Sequence, residues 1–189
     1  MGYRNREIES KLLAEGQESR LAVTKSVRKI LEKYFGIVRE IDGDGKDIYF
    51  KPPAGAKADF VRVRCTNEGR TQMTLKYQDK GNYLDRVEID VDADEPKQAI
   101  ALFSNLLGLP EGSVRKKYVV FFMDNKDTTI SVYRVFSDKR VFIEVEARHQ
   151  DKVDQIVSIL RKHLSYKLKN IDKSLYKLFV KANPSVSCR

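Results

Sequence analysis

The chain has 189 residues, a length that suits one domain with a substantial core, and a net charge of +9 that indicates attraction to polyanions. No stretch reaches the roughly 18 apolar residues of a membrane span, and the N-terminus lacks the apolar core of a secretory signal. Two cysteines without a CxxC spacing and only two histidines argue against a disulfide framework or a zinc site. We therefore expect a single cytoplasmic domain over residues 1–189.

The N-terminal region alternates in polarity and then changes to helical spacing. The stretch NREIESKLL predicts a strand, and SRLAVTKSVRKILEKYF (19–35) predicts a helix that ends near Gly36. GIVREIDGDGKDIYFKPP then contains two short extended runs around DGDG, which together predict a hairpin. DGDG resembles a calcium loop only superficially, because Lys46 stands where a further oxygen ligand is needed.

Most of the remaining chain is typical of short strands. Three alternating runs between residues 59 and 92, separated by NEG and DKGN, predict an antiparallel meander. The segment 95–110 has helical spacing, with Pro96 near its start and Gly108 near its end. Three further strands, VRKKYVVFFM, TISVYRVF and RVFIEVEAR, precede helical segments at 150–166 and 171–181. The sequence thus predicts an α+β protein with eight or nine strands and four helices.

Each predicted strand carries its charges on one face, because alternate side chains point to opposite sides of a sheet. Arg62 and Arg64 alternate with apolar residues, and so do Glu144 and Glu146. For any single strand, this pattern is explained by an antiparallel sheet with one face in solvent and the other packed on helices. Across all strands, however, the polar face is almost wholly Glu, Arg and Lys. We therefore predict a closed or nearly closed eight-stranded antiparallel β-barrel with a charged interior and helices packed outside.

Near the N-terminus, Glu7, Glu9 and Lys11 form the pattern Glu-x-Glu-x-Lys. Further blocks follow along the chain: DIYF, VRVR, MTLK, RVEIDV, LLGL, VRKKY and FIEVEA. This pattern and the order of the blocks resemble the CYTH superfamily, the triphosphate tunnel metalloenzymes, which include inorganic and thiamine triphosphatases and class IV adenylate cyclases. The resemblance covers nearly the whole chain.

The resemblance implies a metal-dependent triphosphate site inside the barrel. The implied ligands of Mg²⁺ or Mn²⁺ are Glu7, Glu9, Glu144, Glu146 and, as a further acid, Glu88. The implied phosphate-binding residues are Lys11, Arg62, Arg64, Lys76, Arg86, Lys116, Lys117 and Arg134, with one of the two adjacent lysines expected to suffice. The implied catalytic residues are Glu7, Glu9, Lys11 and Lys76. The donor chemistry agrees, because hard divalent cations prefer carboxylates and converging cations stabilise a transferred phosphoryl group.

The chain departs from the family pattern in the strand before the last acidic pair. There VYRV places Tyr133, followed by Arg134, where the family usually has an acid, which puts a second metal contact in question. Two activities stay open: a triphosphatase, which we favour, and a class IV adenylate cyclase that converts ATP to cyclic AMP and pyrophosphate. A third interpretation is a catalytically weak protein that binds triphosphates or RNA 5′ ends.

The expected partner is a triphosphate-containing small molecule: inorganic triphosphate, ATP or another nucleoside triphosphate, or thiamine triphosphate. We expect no membrane partner. Nucleic acid is not expected beyond an RNA 5′ triphosphate, because the lysines of 161–177 are typical of a solvated helix face. The sequence does not determine the oligomeric state, and a homodimer stays open.

Overall fold

The helices begin and end at residues that favour those positions. Helix α1 (Arg20–Tyr34) starts at Ser19, whose Oγ accepts a hydrogen bond from the Ala22 backbone N–H at 3.3 Å. Helix α2 (Pro96–Leu107) starts with a proline, which lacks only a donor that the first turn cannot use, and is followed by Gly108. Helix α3 (Gln150–His163) has three basic residues in its last turn, where positive charge interacts favourably with the negative end of the helix dipole.

The computed structural model describes residues 3–56, 58–78, 85–123 and 127–180, with the side chains of 7–56, 58–76, 89–123 and 127–180. Within these ranges every helix is too short or too polar to cross a bilayer. The strands are β1 (Tyr3–Ala14), β2 (Ile37–Phe50), β3 (Ala58–Thr66), β4 (Thr71–Gln78), β5 (Asp85–Ala93), β6 (Gly112–Met123), β7 (Thr128–Val135), β8 (Val141–Ala147) and β9 (Leu168–Asn170).

The described strands form a nine-stranded sheet in the order β5-β4-β3-β2-β6-β7-β8-β1-β9, with an additional pairing of β5 with β1. The registers of β1 with β8, of β2 with β3 and of β6 with β7 are antiparallel. The predicted α+β class and antiparallel sheet are confirmed. The ninth strand arises because β9 pairs with residues Leu12–Ala14 of β1.

The hairpin predicted around DGDG is wrong. Strand β2 runs without interruption from Ile37 to Phe50 through this sequence. A two-residue hairpin turn needs residues with positive φ, and neither Gly43 nor Gly45 is among the glycines that adopt it. Gly45 instead pairs with Thr66 at the start of the β2–β3 ladder, so the glycines serve as extended strand residues.

The C-terminal helices are shorter than predicted. Helix α3 ends at His163, because Leu164 is extended and buried, and the chain then forms β9. A strand of three residues offers too little alternation for a sequence pattern to reveal. The predicted helix over 171–181 is reduced, among the described residues, to one π-helical turn, Tyr176–Val180.

The chain divides into two compact units, each built from separate segments. The first unit comprises Met1–Arg6, Asp44–Arg115 and Lys173–Arg189, and the second comprises Glu7–Gly43 and Lys116–Asp172. In the first unit α2 covers the apolar face of β2 and β3, where Phe50 meets Phe103 edge-on. In the second unit α1 and α3 pack against each other and against β7 and β8. The single domain over residues 1–189 stays a prediction.

Candidate metal and phosphate sites

The pairing of β1 with β8 places four ionisable side chains on one face of the second unit. In this register Glu9 lies opposite Glu146, and Lys11 lies opposite Glu144. Directly opposite residues of an antiparallel pair point to the same side of the sheet. Thr129 of β7 shares this face, and its hydroxyl donates a hydrogen bond to Glu146 Oε2 at 3.1 Å.

Three of these side chains form what we call the acidic cluster: Glu9, Glu144 and Glu146. Each offers a carboxylate oxygen, and these oxygens all lie within 4.8 Å of one another. Lys11 lies against two of the acids, with Nζ 2.8 Å from Glu9 Oε1 and 3.0 Å from Glu144 Oε1. Glu9 and Lys11 are both buried, and the side chain of Glu144 is 13% exposed. Like charges are thus held close together in a poorly solvated place.

This crowding changes the acidity of the cluster. Burial first, and then the charge of Glu9, raises the pKa of Glu144 from 4.5 to about 7, while Lys11 acts in the opposite direction. When all three acids are ionised, one ammonium leaves two negative charges uncompensated within this group of four. A hard divalent cation such as Mg²⁺ or Mn²⁺ carries the matching charge and prefers oxygen donors. The residues present therefore fit such an ion.

The other acids predicted as metal ligands stand differently. Glu7 is partly buried on β1 at the same parity as Glu9, but it is not one of the three acids within 4.8 Å. The backbone of Glu88 pairs with Lys76 in the β4–β5 ladder. The side chains of Glu88 and Arg86 lie outside the described residues.

The structure separates the two adjacent lysines of β6. Lys116 is buried, with Nζ 5.3 Å from the ring centroid of Tyr133. Lys117 lies opposite Arg134, and both of these side chains are exposed. Lys116 pairs with Val135, which points to the same face of β7 as Thr129, so Lys116 shares the face of the acidic cluster. Neighbouring residues of a strand point to opposite faces, so Lys117 does not. Arg134 and Lys117 are not brought together with the acids.

Tyr133 fills the position where the resemblance leads one to expect an acid. Its ring is fully buried and stacks on Phe142, with centroids 5.5 Å apart and an interplanar angle of 16°. Lys116 packs over this ring in cation–π geometry. A cation–π contact between Lys116 and Tyr133 therefore occupies the position where an acid was expected.

The first unit has a cationic counterpart, which we call the arginine face: Asp47, Arg62, Arg64, Thr74, Lys76 and Asp90. Asp47 is completely buried and accepts two hydrogen bonds from Arg64, Nε to Oδ1 at 2.7 Å and Nη2 to Oδ2 at 3.1 Å. Arg62 Nη1 lies 3.8 Å from Asp47 Oδ2. One buried carboxylate thus orients both arginines of the VRVR block.

Strand β4 supports the arginine face from the next position in the sheet. Arg62 Nη2 donates to Thr74 Oγ1 at 3.0 Å, and the Thr74 hydroxyl donates to Asp90 Oδ1 at 2.6 Å. Lys76, two residues further along β4, is buried. The two arginines of this face are therefore held at defined positions by their hydrogen bonds, an arrangement that lowers the entropic cost of binding an anion.

Aromatic packing lies beside Asp47. The Tyr49 hydroxyl is 3.5 Å from Asp47 Oδ2, and the Tyr49 ring lies against the rings of Phe60 and Tyr176. The Tyr176 hydroxyl donates in turn to the carboxylate of Glu111. Burial is the main reason that the pKa of Tyr176 is raised, so its hydroxyl stays a proton donor. The π-helical turn is thereby attached to β2.

Sequence reasoning missed four polar residues that support these sites: Asp47, Thr74, Asp90 and Thr129. Asp47 carried a signal, since it stands directly before the apolar residues of DIYF and has the same parity as Tyr49. Asp90 has the parity of Arg86, but its link to Arg62 passes through Thr74 and depends on strand register. The pairing register between β3, β4 and β5 could not be determined from the sequence alone.

A protein-family model described as CYTH domain matches residues 5–175 of the chain. Among solved structures, a conserved hypothetical protein from Pyrococcus furiosus aligns with a TM-score of 0.68 and 18% identity, over 92% of this chain and 99% of the other. No curated protein sequence matches the chain.

Two further structures carry descriptions of activity. A candidate adenylyl cyclase from Hippeastrum, described as revealing a dominant triphosphatase activity, aligns with a TM-score of 0.68 and 14% identity, covering 93% of this chain and 96% of the other. A candidate adenylate cyclase from Vibrio parahaemolyticus aligns with a TM-score of 0.66 and 12% identity, covering 91% and 96%. At these identities the structural likeness establishes the shared fold.

Proposed function

The chain belongs to the CYTH domain family, and from this premise we propose that it is a divalent-metal-dependent triphosphatase that removes the terminal phosphate of a triphosphate. The observation that carries the proposal is the acidic cluster, in which three carboxylates converge within 4.8 Å on two paired strands. Its charge and oxygen donors suit Mg²⁺ or Mn²⁺. A cytoplasmic location stays a prediction of the sequence.

The proposed roles follow the chemistry of each group. Glu9, Glu144 and Glu146 would hold the divalent cation, with Glu7 beside Glu9 on β1. The cation, when bound, neutralises phosphate charge and makes the phosphorus more susceptible to attack. On the face of the acidic cluster we assign Lys11 and Lys116 to phosphate oxygens. On the arginine face, taken by itself, we assign Arg62, Arg64 and Lys76 as groups that can bind phosphate oxygens.

Two observations support this assignment of phosphate-binding groups. Phosphoryl transfer depends on positioning and on electrostatic stabilisation of equatorial oxygens. Arg62 and Arg64 are positioned by hydrogen bonds to Thr74 and Asp47, and their planar groups suit oxygen pairs. Lys11 and Lys116 are buried on the face of the acidic cluster, where a desolvated ammonium interacts strongly with an anion.

The cyclase is the second candidate, because the Vibrio parahaemolyticus structure is described as a candidate adenylate cyclase. A cyclase would direct the ribose 3′ hydroxyl at the α-phosphorus, with pyrophosphate as the leaving group. The description of the Hippeastrum protein, in which triphosphatase activity dominates, favours hydrolysis for this chain as well.

A product assay distinguishes these activities. The purified chain is incubated with inorganic triphosphate, ATP, GTP or thiamine triphosphate, each with Mg²⁺ and with Mn²⁺, and the products are separated by anion exchange. We expect orthophosphate with the corresponding diphosphate and no product in the presence of a chelator. Cyclic AMP with pyrophosphate from ATP would establish the cyclase instead.

The same assay tests the weak-binding alternative that Tyr133 raises. If the chain only binds triphosphates or RNA 5′ ends, binding is measurable but none of the four compounds is consumed. Matched reactions with Glu9→Gln and with Glu32→Gln show whether the activity belongs to this chain. Glu32 is an exposed carboxylate on α1, so only the Glu9 variant should lose the activity.

A further inference from the structure

The ammonium of Lys11 lies between two carboxylates that a divalent cation would also contact. Its Nζ is 2.8 Å from one oxygen of Glu9 and 3.0 Å from one oxygen of Glu144. These two acids are also members of the acidic cluster. The ammonium therefore already lowers the repulsion between these two carboxylates, which lie close together in a poorly solvated place.

A divalent cation and this ammonium compete for the same acids. A small hard cation binds carboxylate oxygens directly, at about 2.1 Å for Mg²⁺. If it bound Glu9 and Glu144 while Lys11 kept both contacts, two cations with three positive charges would share the same pair of carboxylates in a poorly solvated place. Repulsion at such short distance is strong where solvent screening is weak.

We propose that Lys11 is the resident counter-ion of the acidic cluster, and that a divalent cation displaces its ammonium from Glu9 and Glu144. This inference rests on the proposed metal site and adds a coupling to it. Once displaced, the ammonium of Lys11 is available to a phosphate oxygen. Metal binding and phosphate binding then favour each other, and the favourable effect is reciprocal.

The first test is a calorimetric titration with Mn²⁺ in the absence of any phosphate compound. Lys11→Met removes the charge but keeps an unbranched side chain, and we expect it to bind Mn²⁺ about tenfold more tightly than the wild type. Lys11→Arg keeps the charge and should bind Mn²⁺ no more tightly than the wild type. Lys29→Met, which removes an exposed lysine from α1, controls for the change in net charge and should match the wild type.

The second test observes Lys11 itself and does not depend on the methionine variant folding. In ¹⁵N-lysine-labelled protein, the Lys11 ammonium resonance is assigned by its loss in Lys11→Arg. Saturation with Mg²⁺ should shift this resonance and leave that of Lys29 unchanged.

The outcomes separate this inference from the proposed function. Equal Mn²⁺ affinity in wild type and Lys11→Met, equal tightening by Lys29→Met, or an unmoved Lys11 resonance at Mg²⁺ saturation would overturn the displacement and leave the metal site standing. Failure of the wild type and of every variant to bind Mn²⁺ would overturn the metal site and the displacement together.

Discussion

In the acidic cluster one lysine contacts two of the three carboxylates, whereas on the arginine face one buried carboxylate, Asp47, lies against two arginines. Ionised, the first group of four carries two uncompensated negative charges. Arg62, Arg64 and Lys76 against Asp47 and Asp90 leave one positive charge among the described side chains of the second group. The acidic cluster therefore has a charge that suits a cation, whereas the described side chains of the arginine face have a charge that suits an anion.

The largest expected effect breaks the acidic cluster. Glu144→Gln keeps the shape of the side chain but removes a charge that a divalent cation needs, so turnover of the preferred triphosphate should fall by 100-fold or more, on the order of 3 kcal/mol in the barrier. Steady-state kinetics with Mn²⁺ measures this loss. Glu32→Gln is the matched control on the exposed face of α1. Activity within threefold of the wild type in Glu144→Gln would remove the acid from the proposed machinery.

The next effect breaks the arginine face. Asp47→Asn leaves Arg62 and Arg64 without the charge that orients them, and loss of one partner of a buried ion pair costs about 3 kcal/mol. We expect a lower midpoint of urea unfolding and a higher KM for the triphosphate. Glu40→Gln, which breaks the exposed ion pair with Arg28, should cost less than about 1 kcal/mol. Equal losses in the two variants would contradict the organising role of Asp47.

A smaller effect appears in the pH dependence of the metal-free protein. Because the pKa of Glu144 is raised in the folded state to about 7 from 4.5, the folded protein binds this proton more tightly than the unfolded chain does. The stability from this group is therefore complete below about pH 4.5 and is lost as the pH rises through about 7, by about 3 kcal/mol.

Thermal unfolding between pH 5 and pH 8 measures this loss. The Glu144→Gln variant should lack most of the decline. Added Mn²⁺ should stabilise the wild type increasingly as the pH rises, since metal and proton compete for the carboxylate. A wild-type slope that the Glu144→Gln variant reproduces would assign the decline to other groups.

The smallest expected effect distinguishes two adjacent lysines of β6. Lys116→Met should weaken triphosphate binding about tenfold, because it removes a buried cation from the face of the acidic cluster. Lys117→Met changes the neighbouring exposed lysine and should leave binding within about twofold, as expected of a solvated surface charge. Competition binding of inorganic triphosphate compares them, and the reverse ranking would contradict the assignment of faces.

Strand parity predicted the face of the sheet on which the site residues lie. Alternation alone placed Glu9 and Lys11 on one face of β1, and Glu144 and Glu146 on one face of β8. Parity also separates Lys116 from Lys117, and Tyr133 from Arg134, although the sequence analysis kept both lysines and Arg134 as phosphate ligands. The ordered blocks then identified the family.

The rest depends on interactions between strands, which a single sequence does not display. The role of Asp47 requires the β2–β3 register that places it opposite Arg64. The DGDG glycines suit either a turn or an extended strand, and ladder pairing determined that they form a strand. Strand β9 has only three residues, so its pairing with β1 could not be recognised from periodicity.

We propose above that the acidic cluster holds the divalent cation. The most direct measurement is the anomalous difference density of Mn²⁺ in crystals grown with that ion and without phosphate compounds. We expect a peak within about 2.3 Å of an oxygen of each of Glu9, Glu144 and Glu146. A fully occupied Mn²⁺ elsewhere, with the three carboxylates making no contact to it, would show that the acidic cluster is not the metal site.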